Sequence, residues 1–458
     1  FTDSFWFSAV EGEVYALSSF FTAVTFWCIL KWEEVADSPH SSKWLVLIAY
    51  LIGLSIGVHL LSLLTIPAIA MIYYFKNYKY SHKGALITLI SSSLILLFVQ
   101  GIFISGMSSL MGSFDVFFVN TVGLPFNSGV FIFLILLIGL IYKGLSYTKK
   151  KSLPIWHNAI LGFMMLCIGY SSYTMVLIRS NANTPINMSA PDNPLKLTDY
   201  LKRTQYGEVA PLVFGHYYND QMKNDGRNYI YLDEVKYRKN EKTKKYEEFI
   251  VKKPQWENDK FFARMYSSSS RENGSPGHVE GYKKWAPHQE YNISFADNLE
   301  FFFKYQVGWS YFRYFMWNFA GRQNNVDNMD GNGVYGNWES GIGYSEEGMP
   351  KHLKDNKAKN HYYFLPLILG LIGMLFHFKN SNNDAVSVLL FFLFTGVLII
   401  VYLNVVPFQP RERDYAYVGS FYAFSIWIGI GVLSIYDFLR TRINPQTSAL
   451  SATILSLL

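Results

Sequence analysis

The chain has 458 residues, of which 50% are hydrophobic, 18% aromatic and only 16% charged, with a formal net charge of +6. Soluble domains of this length carry about 25% charged residues, so the composition predicts an integral membrane protein and excludes an ordinary soluble domain. The positive excess is expected to orient the loops rather than to bind nucleic acid. Cys28 and Cys167 lie in apolar segments and are predicted to be small buried side chains.

Membrane spans are predicted wherever roughly 20 mostly apolar residues follow one another. In chain order these are residues 15–32, 85–107, 126–142, 155–178, 361–378, 385–404 and 415–437, with an incomplete span from 447. Segment 43–75 differs, because as one helix it would be about 50 Å long and exceed a hydrocarbon core of about 30 Å. It also contains glycines and a proline, so we predict two short helices forming a hairpin with its tip near Gly57–His59.

Loop charges orient these spans, because cytoplasmic loops carry an excess of Lys and Arg. If 43–75 is a hairpin, the basic loops 76–83, 143–154 and 438–446 all lie on one side, which is then the cytoplasm. The outer side receives residues 108–125, predicted to be an interfacial segment, together with residues 180–360 and 405–414.

Three regions follow from this topology. The fold class is mainly α, a polytopic transmembrane helical bundle with a large extracytoplasmic α/β loop region. The regions are an N-terminal bundle (1–178), a periplasmic loop domain (179–360) and C-terminal helices (361–458). Within the loop domain, the Lys/Glu-rich stretch 236–253 predicts a solvated hairpin, and the aromatic stretch 297–320 predicts a segment at the membrane interface. Since the chain starts and ends within apolar segments, we expect it to be part of a longer protein.

The first motif that breaks the charge pattern is Phe408-Gln409-Pro410-Arg411-Glu412-Arg413-Asp414-Tyr415. It places two arginines on the outer side, against the trend of the loops. Pro410 is suited to the first position of a helix, which would put Arg411 in the first turn, where backbone N–H groups favour an anion. This pattern suits a lipid-linked phosphate or pyrophosphate. An intramolecular charge cluster with Glu412 and Asp414 is the alternative.

Acidic residues and a histidine form the next candidates. Glu11 and Glu13 directly precede the first span, where a carboxylate can serve as a general base or simply complement the helix dipole. On a helix, Glu11 would share a face with Tyr15. His59 lies at the predicted hairpin tip, and an ionisable residue within a membrane is a functional candidate by default. A histidine bonded to a backbone carbonyl is the simpler alternative.

The aromatic run from Trp309 to Gln323 is interrupted by Arg313, Asn318 and Arg322. Aromatic faces beside an arginine could bind sugar rings or a lipid head group. Anchoring at the interface explains the aromatics equally well. No P-loop, nucleophile elbow or Cys/His metal spacing occurs in the sequence, so no metal site is predicted and a divalent metal is unsupported.

Four stretches together resemble a large membrane family common in Bacteroidota. It is related to the animal O-mannosyltransferase that modifies plexin and receptor-kinase ectodomains, and its members were long described only as a domain of unknown function. The stretches run from Asp3 to Leu17, from Gly53 to Leu61 with Pro67, from Tyr314 to Gln323, and from Pro410 to Tyr422.

This resemblance implies a GT-C type glycosyltransferase. Such an enzyme would transfer a sugar, with mannose the first expectation, from a polyprenyl-phosphate donor to Ser or Thr of secreted or periplasmic proteins. The implied location is the bacterial inner membrane. The family's principal aspartate would lie upstream of Phe1. Among the residues present, the resemblance implies Glu13, Glu11 and His59 as catalytic candidates, Arg411, Arg413 and Tyr415 at the donor phosphate, and Arg313, Trp317, Asn318, Arg322 and Asp414 at the substrate. No cofactor is expected beyond the donor.

Two other classes of function stay open at this point. A transporter or flippase for a lipid-linked glycan would use the same arginines without a catalytic acid. A non-catalytic subunit of a larger envelope or secretion complex would use residues 180–360 for docking.

Overall fold

The computed structural model describes residues 2–182, 184–206, 210–224, 228–257, 260–269, 277–289, 292–327, 331, 333, 335–409 and 411–457. The chain is 64% helical with a small sheet region, which confirms the predicted mainly-α polytopic class. Six helices in the described ranges are long and apolar enough to cross a membrane: Leu60–Asn77, His82–Asn120, Ser128–Lys150, Pro154–Asn181, Asn382–Leu403 and Asp414–Arg440. The protein is therefore a multi-pass membrane protein.

The N-terminal helices are α1 (Asp3–Val10) and α2 (Tyr15–Glu34), which meet at an angle of 120° and would form a seventh span if counted as one. Helix α3 (Ser42–Ile56) ends at Gly57. A 3₁₀ turn (Leu60–Thr65) then leads into α4 (Ile66–Asn77), with Pro67 in its first turn. The helix is thus interrupted at Gly57–His59, where the sequence predicted the tip of a hairpin. The membrane orientation of the two helices stays a prediction.

Helices α5 (His82–Leu97) and α6 (Ile104–Asn120) are joined by a π turn (Phe98–Phe103) into one helix of 39 residues. The span predicted to end at 107 therefore continues through the segment predicted to be interfacial. Three helices follow, namely α7 (Ser128–Lys150), α8 (Pro154–Tyr170) and α9 (Thr174–Asn181). Helices α3 and α8 pack so closely that a Cβ added at Gly53 would lie only 2.4 Å from the Leu166 carbonyl oxygen. Small residues allow such backbone contacts between membrane helices.

The loop region contains α10 (Pro194–Leu201) and a hairpin of β1 (Tyr231–Asn240) and β2 (Lys245–Pro254). The antiparallel register pairs Val235 with Ile250, and the hairpin confirms the structure predicted for the Lys/Glu-rich stretch. Tyr246 attaches the hairpin to the bundle. The Tyr246 hydroxyl donates to the buried Asp115 carboxylate at 2.6 Å, and the Asn120 amide exchanges two hydrogen bonds with the Tyr246 backbone.

After α11 (His278–Trp285), the aromatic segment forms one helix made of α12 (Phe295–Phe301), a π stretch (Phe302–Phe312) and α13 (Arg313–Phe319). Ser294 and Asp297 form a capping box at its start. Every residue of α13 is buried, and the helix packs against the spans that follow. Burial inside the protein accounts for most of its aromatic side chains, and the position of segment 297–320 at the membrane interface stays a prediction.

Two short strands, β3 (Gly321–Arg322) and β4 (Asn360–His361), pair beside α13, and α14 (Lys351–Lys354) lies between them in sequence. The C-terminal helices are α15 (Leu365–Asn380), α16 (Asn382–Thr395), α17 (Val397–Leu403), α18 (Val418–Arg440) and α19 (Pro445–Leu457). Helix α15 has 16 residues, fewer than a span needs, so the span predicted at 361–378 is shorter than expected. It packs along α18, where a Cβ on Gly373 would overlap the Trp427 carbonyl oxygen at 1.8 Å.

Candidate functional site

The arginine motif at residues 408–415 lies between the ends of α17 and α18. A 3₁₀ turn begins at Asp414 and α18 begins at Val418. Arg411 therefore precedes the helix, and the prediction that it lies in a first helical turn is wrong for this reason. Pro410, the predicted first helical residue, lies outside the described residues. Any affinity of Arg411 for an anion must come from its own guanidinium and its neighbours.

Arg411 joins two motifs that are about 400 residues apart in sequence. Its Nη1 donates to Glu13 Oε1 at 3.2 Å, and its Nη2 donates to the Tyr15 hydroxyl at 3.1 Å. The Tyr15 ring stacks on the Tyr415 ring at 3.8 Å between centroids, and the guanidinium lies 5.2 Å from the Tyr415 ring. Arg411 keeps 48% of its side chain exposed, so a ligand could reach it.

His59 completes this group, which we call the Arg411 cluster: Glu13, Tyr15, His59, Arg411 and Tyr415. The imidazole and the Tyr15 ring pack edge to face, with 5.7 Å between the ring centroids. Its Nδ1 is buried and has no hydrogen-bond partner within the described ranges. Burial, with the nearby Arg203 charge, lowers the pKa of His59 to about 4, so the ring is neutral at neutral pH.

Glu11 is not part of the Arg411 cluster. Residues 11–14 form the bend between α1 and α2 rather than a helical turn, so the helical face that Glu11 and Tyr15 were predicted to share does not exist. The Glu11 backbone N–H caps α1 by donating to the Phe7 carbonyl at 3.1 Å, and its side chain is exposed. Of the two predicted carboxylates, the structure brings only Glu13 to the arginine motif.

A second arginine forms a buried group, which we call the Arg313 cluster: Arg313, Tyr314, Trp317, Arg322 and Glu412. Arg313 is only 3% exposed, and its Nη2 pairs with Glu412 Oε2 at 2.6 Å. Its Nη1 also donates to the Gly336 carbonyl at 2.6 Å. The Tyr314 hydroxyl donates a short hydrogen bond to the same carboxylate oxygen. Burial raises the pKa of Tyr314 well above its usual value, so it stays a proton donor to Glu412.

Trp317 lies beneath this ion pair and is fully buried. The Arg322 guanidinium stacks on its face at 3.9 Å, and the Arg313 guanidinium lies 4.8 Å from the same ring. Burial lowers the pKa of Arg322, and the Asp414 and Asp3 carboxylates partly offset that effect. The predicted substrate-binding residues Arg313, Trp317 and Arg322 thus bind one another in this structure.

Asn318, the remaining predicted substrate residue of the run, holds α1 in place. Its side-chain oxygen accepts from the Ser4 backbone N–H, and its amide donates to Ser4 Oγ, both at 3.0 Å. Asp3 accepts hydrogen bonds from Asn360 and from Tyr362. The Asp3-Ser4 pair therefore anchors the N-terminal motif to α13 and β4, which the sequence did not indicate.

Between the two clusters lies a small cleft that opens to solvent. Its lining includes Tyr305, Trp309, Asp327, Gln409, Arg411 and Arg413. The half-buried Arg413 is the notable member, because it makes no salt bridge with any described residue and its Nε is buried without a hydrogen-bond partner there. Its backbone N–H is fixed by the Tyr314 hydroxyl at 3.1 Å. An arginine whose guanidinium lacks a carboxylate is suited to an external anion.

Tyr415 also borders a second small cleft between α2, the 60–65 turn and α18. Its walls combine hydroxyl groups with apolar side chains: Ser18, Ser19, Thr22, Leu61, Leu64 and Val418. Two recesses therefore meet at the Arg411 cluster. No group of three or more His, Cys, Asp or Glu side chains with the geometry of a metal site occurs among the residues that the structure describes.

Comparison with known proteins gives two family matches. Residues 1–82 match the model of the protein O-mannosyl-transferase TMEM260 N-terminal domain, which supports an O-mannosyltransferase-like family for this chain. The predicted resemblance is thereby confirmed over the segment that contains Glu13, Tyr15 and His59. Residues 207–303 match a family of unknown function, DUF8416. No curated protein and no solved structure matches the chain.

Proposed function

We propose that this protein is a glycosyltransferase of the GT-C type. It would transfer a sugar, with mannose the first choice, from a polyprenyl-phosphate donor to a Ser or Thr hydroxyl of a secreted or periplasmic protein. The proposal places the enzyme in the bacterial inner membrane, with the cleft and residues 179–360 in the periplasm. The observation that carries it is that Arg411 and Arg413 line one cleft, with Glu13 paired to Arg411, in a chain whose first 82 residues match a protein O-mannosyl-transferase family model.

The donor phosphate is the group that the two arginines would bind. Arg413 has no carboxylate partner in the described ranges, so its charge is available to an incoming phosphate. Arg411 would exchange its exposed contact with Glu13 for a contact with the phosphate, and exposed ion pairs of this kind contribute only about 0–1 kcal/mol. Charge-assisted hydrogen bonds from two guanidinium groups would stabilise the negative charge that grows on the phosphate as it leaves.

Glu13 would be released by the same exchange. In the reaction, the bond between the anomeric carbon and the phosphate oxygen breaks, and a bond forms to the acceptor oxygen. The acceptor proton must pass to a base, and a carboxylate within reach of the cleft can take it. Glu13 is the described carboxylate that contacts Arg411. In this proposal Glu13 is a supporting carboxylate for this proton transfer.

The direct test is a transfer assay with the natural full-length protein in lipid nanodiscs. Polyprenyl-phosphate mannose and Ser/Thr-containing periplasmic peptides would be supplied, and glycosylated peptide would be detected by mass spectrometry. We expect transfer to the peptide. A folded protein that transfers no sugar from this donor or from other polyprenyl-phosphate sugars contradicts the proposal.

A pair of acidic variants separates the enzyme from a transporter. Glu13→Gln should bind the donor but lose most of the transfer rate, whereas Glu11→Gln should lose much less, because only Glu13 contacts Arg411. Glu34→Gln is the matched control, since Glu34 pairs with Lys31 in the last turn of α2. A flippase for a lipid-linked glycan would move its lipid equally well in all three variants.

A further inference from the structure

The loop region exposes an apolar tip built from two separate stretches of chain, Leu212–Phe214 and Phe261. Phe214 is 70% exposed and Phe261 is 64% exposed, and Leu212 and Val213 are each about half exposed. Large apolar side chains gathered on a surface mark a contact with a partner or a membrane. We call this surface the apolar tip.

Backbone hydrogen bonds join the two stretches into one unit. Gly215 and Lys260 exchange reciprocal N–H to carbonyl bonds of 2.9 and 3.1 Å. The Phe262 N–H donates to the Leu212 carbonyl at 2.7 Å. The four apolar side chains therefore keep a fixed position relative to residues 262–264.

Residues 262–264 are in turn fastened to the end of a membrane span. Arg264, which is buried, donates from Nη1 to the Val401 carbonyl at 2.8 Å. The Asn404 amide donates to the Ala263 carbonyl at 3.3 Å. Val401 lies in the last turn of α17, and Asn404 is the residue that ends it.

The length of that span sets the depth of the apolar tip. The helix Asn382–Leu403 has 22 residues, or about 33 Å at 1.5 Å per residue, which is close to the roughly 30 Å of a hydrocarbon core. Its two ends must therefore lie near the two membrane surfaces. Bonds to Val401 and Asn404 place residues 262–264, and the apolar tip beside them, at the level of the surface on the side of the cleft.

The apolar surface continues from the tip onto the neighbouring helices. The Phe262 ring packs on the edge of Phe302 at 5.0 Å between centroids, and the next residue, Phe303, is 60% exposed. Tyr402, on the span itself, is also exposed. Aromatic side chains at the end of a span are typical of the lipid head-group level.

We propose that the apolar tip inserts into the membrane interface and attaches the loop region to the bilayer at a point outside the spans. The partner is the lipid surface, because the tip is continuous with the exposed face of a span and is held at its depth. The attachment is independent of the glycosyltransferase activity proposed above. It would hold residues 210–215 and 260–264 beside Val405, which lines the cleft.

Spin labels can measure the depth of the apolar tip. Phe214→Cys and Phe261→Cys would be made separately in the full-length protein carrying Cys28→Ala and Cys167→Ala, and labelled with a nitroxide. The protein would be placed in liposomes of phosphatidylethanolamine and phosphatidylglycerol. We expect both labels to collide more often with oxygen, which partitions into lipid, than with a water-soluble nickel chelate. Thr243→Cys, at the exposed turn of the β1–β2 hairpin, is the matched control and should show the reverse.

A second measurement uses the unmodified protein, so that folding of the variants is not in question. A phospholipid with a photoreactive diazirine in its acyl chain would be included in the same liposomes, and labelled peptides would be identified by mass spectrometry. We expect labelling within residues 210–216 and 260–264 and none at the hairpin turn. Labels at 214 and 261 that behave like Thr243, or an absence of lipid adducts in both segments, would overturn the proposal.

Discussion

The Arg411 cluster and the Arg313 cluster begin from adjacent residues of one motif and have opposite surroundings. Glu412 turns inward and pairs with Arg313, which is almost completely buried. Arg411, the residue before it, turns outward and pairs with Glu13 at the surface. The inner pair is shared with Tyr314 and a backbone carbonyl, whereas the outer pair is open to solvent on both partners.

This difference separates residues that build the site from residues that can act in it. A buried ion pair is expensive to break, because removing one partner leaves the other charged and desolvated. An arginine in an exposed ion pair loses little free energy when another anion replaces its carboxylate partner. The inner cluster is therefore suited to fixing the position of the motif, and the outer cluster, with Arg413, is suited to binding a ligand. Four predictions test this division.

The largest expected effect comes from the inner pair. Arg313→Ala should lower the free energy of unfolding by about 3–5 kcal/mol, because it leaves Glu412 buried without its guanidinium. Thermal unfolding in detergent, followed by intrinsic fluorescence, would measure the change. Arg440→Ala is the control, since Arg440 pairs with Asp437 at the exposed far end of α18 and its loss should change stability by about 0.5 kcal/mol or less. Equal shifts in the two variants would remove the distinction between the clusters.

The next effect concerns Arg413 and appears in ligand binding rather than stability. Arg413→Ala should weaken donor binding by roughly 10- to 100-fold, the equivalent of one charged hydrogen bond of about 1.5–3 kcal/mol. Its melting temperature should change little, because Arg413 has no ion-pair partner in the described part of the chain. Titration of the nanodisc-embedded protein with polyprenyl-phosphate mannose would measure the affinity. Arg413→Lys should retain part of it, and a loss of folding in both variants would assign Arg413 to the inner cluster instead.

A smaller effect follows from the buried imidazole of His59. Its pKa in the folded protein is about 4, against roughly 6.5 in an unfolded chain. Between these values the unfolded state binds more protons, so the free energy of unfolding should fall as the pH drops from 6.5 to 4, by up to about 1.4 kcal/mol per pH unit. Denaturation at a series of pH values would measure the slope. His59→Asn should flatten it and His40→Asn, at an exposed position, should not; unchanged slopes in both would show that His59 is solvated.

The smallest effect on stability is expected for the outer pair. Glu13→Gln should change the free energy of unfolding by about 1 kcal/mol or less, since both side chains are close to half exposed. The same thermal measurement applies, with Arg313→Ala as the opposite extreme. If Glu13→Gln were as destabilising as Arg313→Ala, the contact with Arg411 would be a structural bond and not one that a donor phosphate could replace.

Several features could be predicted because they depend on local composition. The membrane class follows from long apolar runs, and the hairpin of β1 and β2 follows from a Lys/Glu-rich stretch that cannot be buried. The interruption at Gly57–His59 follows from the length limit of a span together with its glycines. The resemblance carried by Glu13, Tyr15 and His59 lies in the same segment that matches the mannosyltransferase family model.

The errors arose where one feature of sequence allows two environments. Aromatic residues suit both a membrane interface and a protein core, and the sequence did not show that most aromatic side chains of 297–320 are buried in the protein. A proline before an arginine suggested a helix start, but the helical turn begins later, at Asp414. The sequence placed Glu412 only in a local charge cluster, whereas it binds the buried Arg313. The signal that could have indicated this role is Arg313 itself, an arginine within an aromatic run that requires a partner when buried.

The sequence by itself determined that this is a many-span membrane protein, and it indicated which short motifs carry its chemistry. Only the tertiary structure decided which side of each motif faces the cleft. Arg411 and Glu412 are adjacent in sequence, and the direction of each side chain depends on contacts with residues about 400 and 99 positions away. Local pattern holds no information about such distant partners, because burial and charge pairing are properties of the folded chain and not of any one segment.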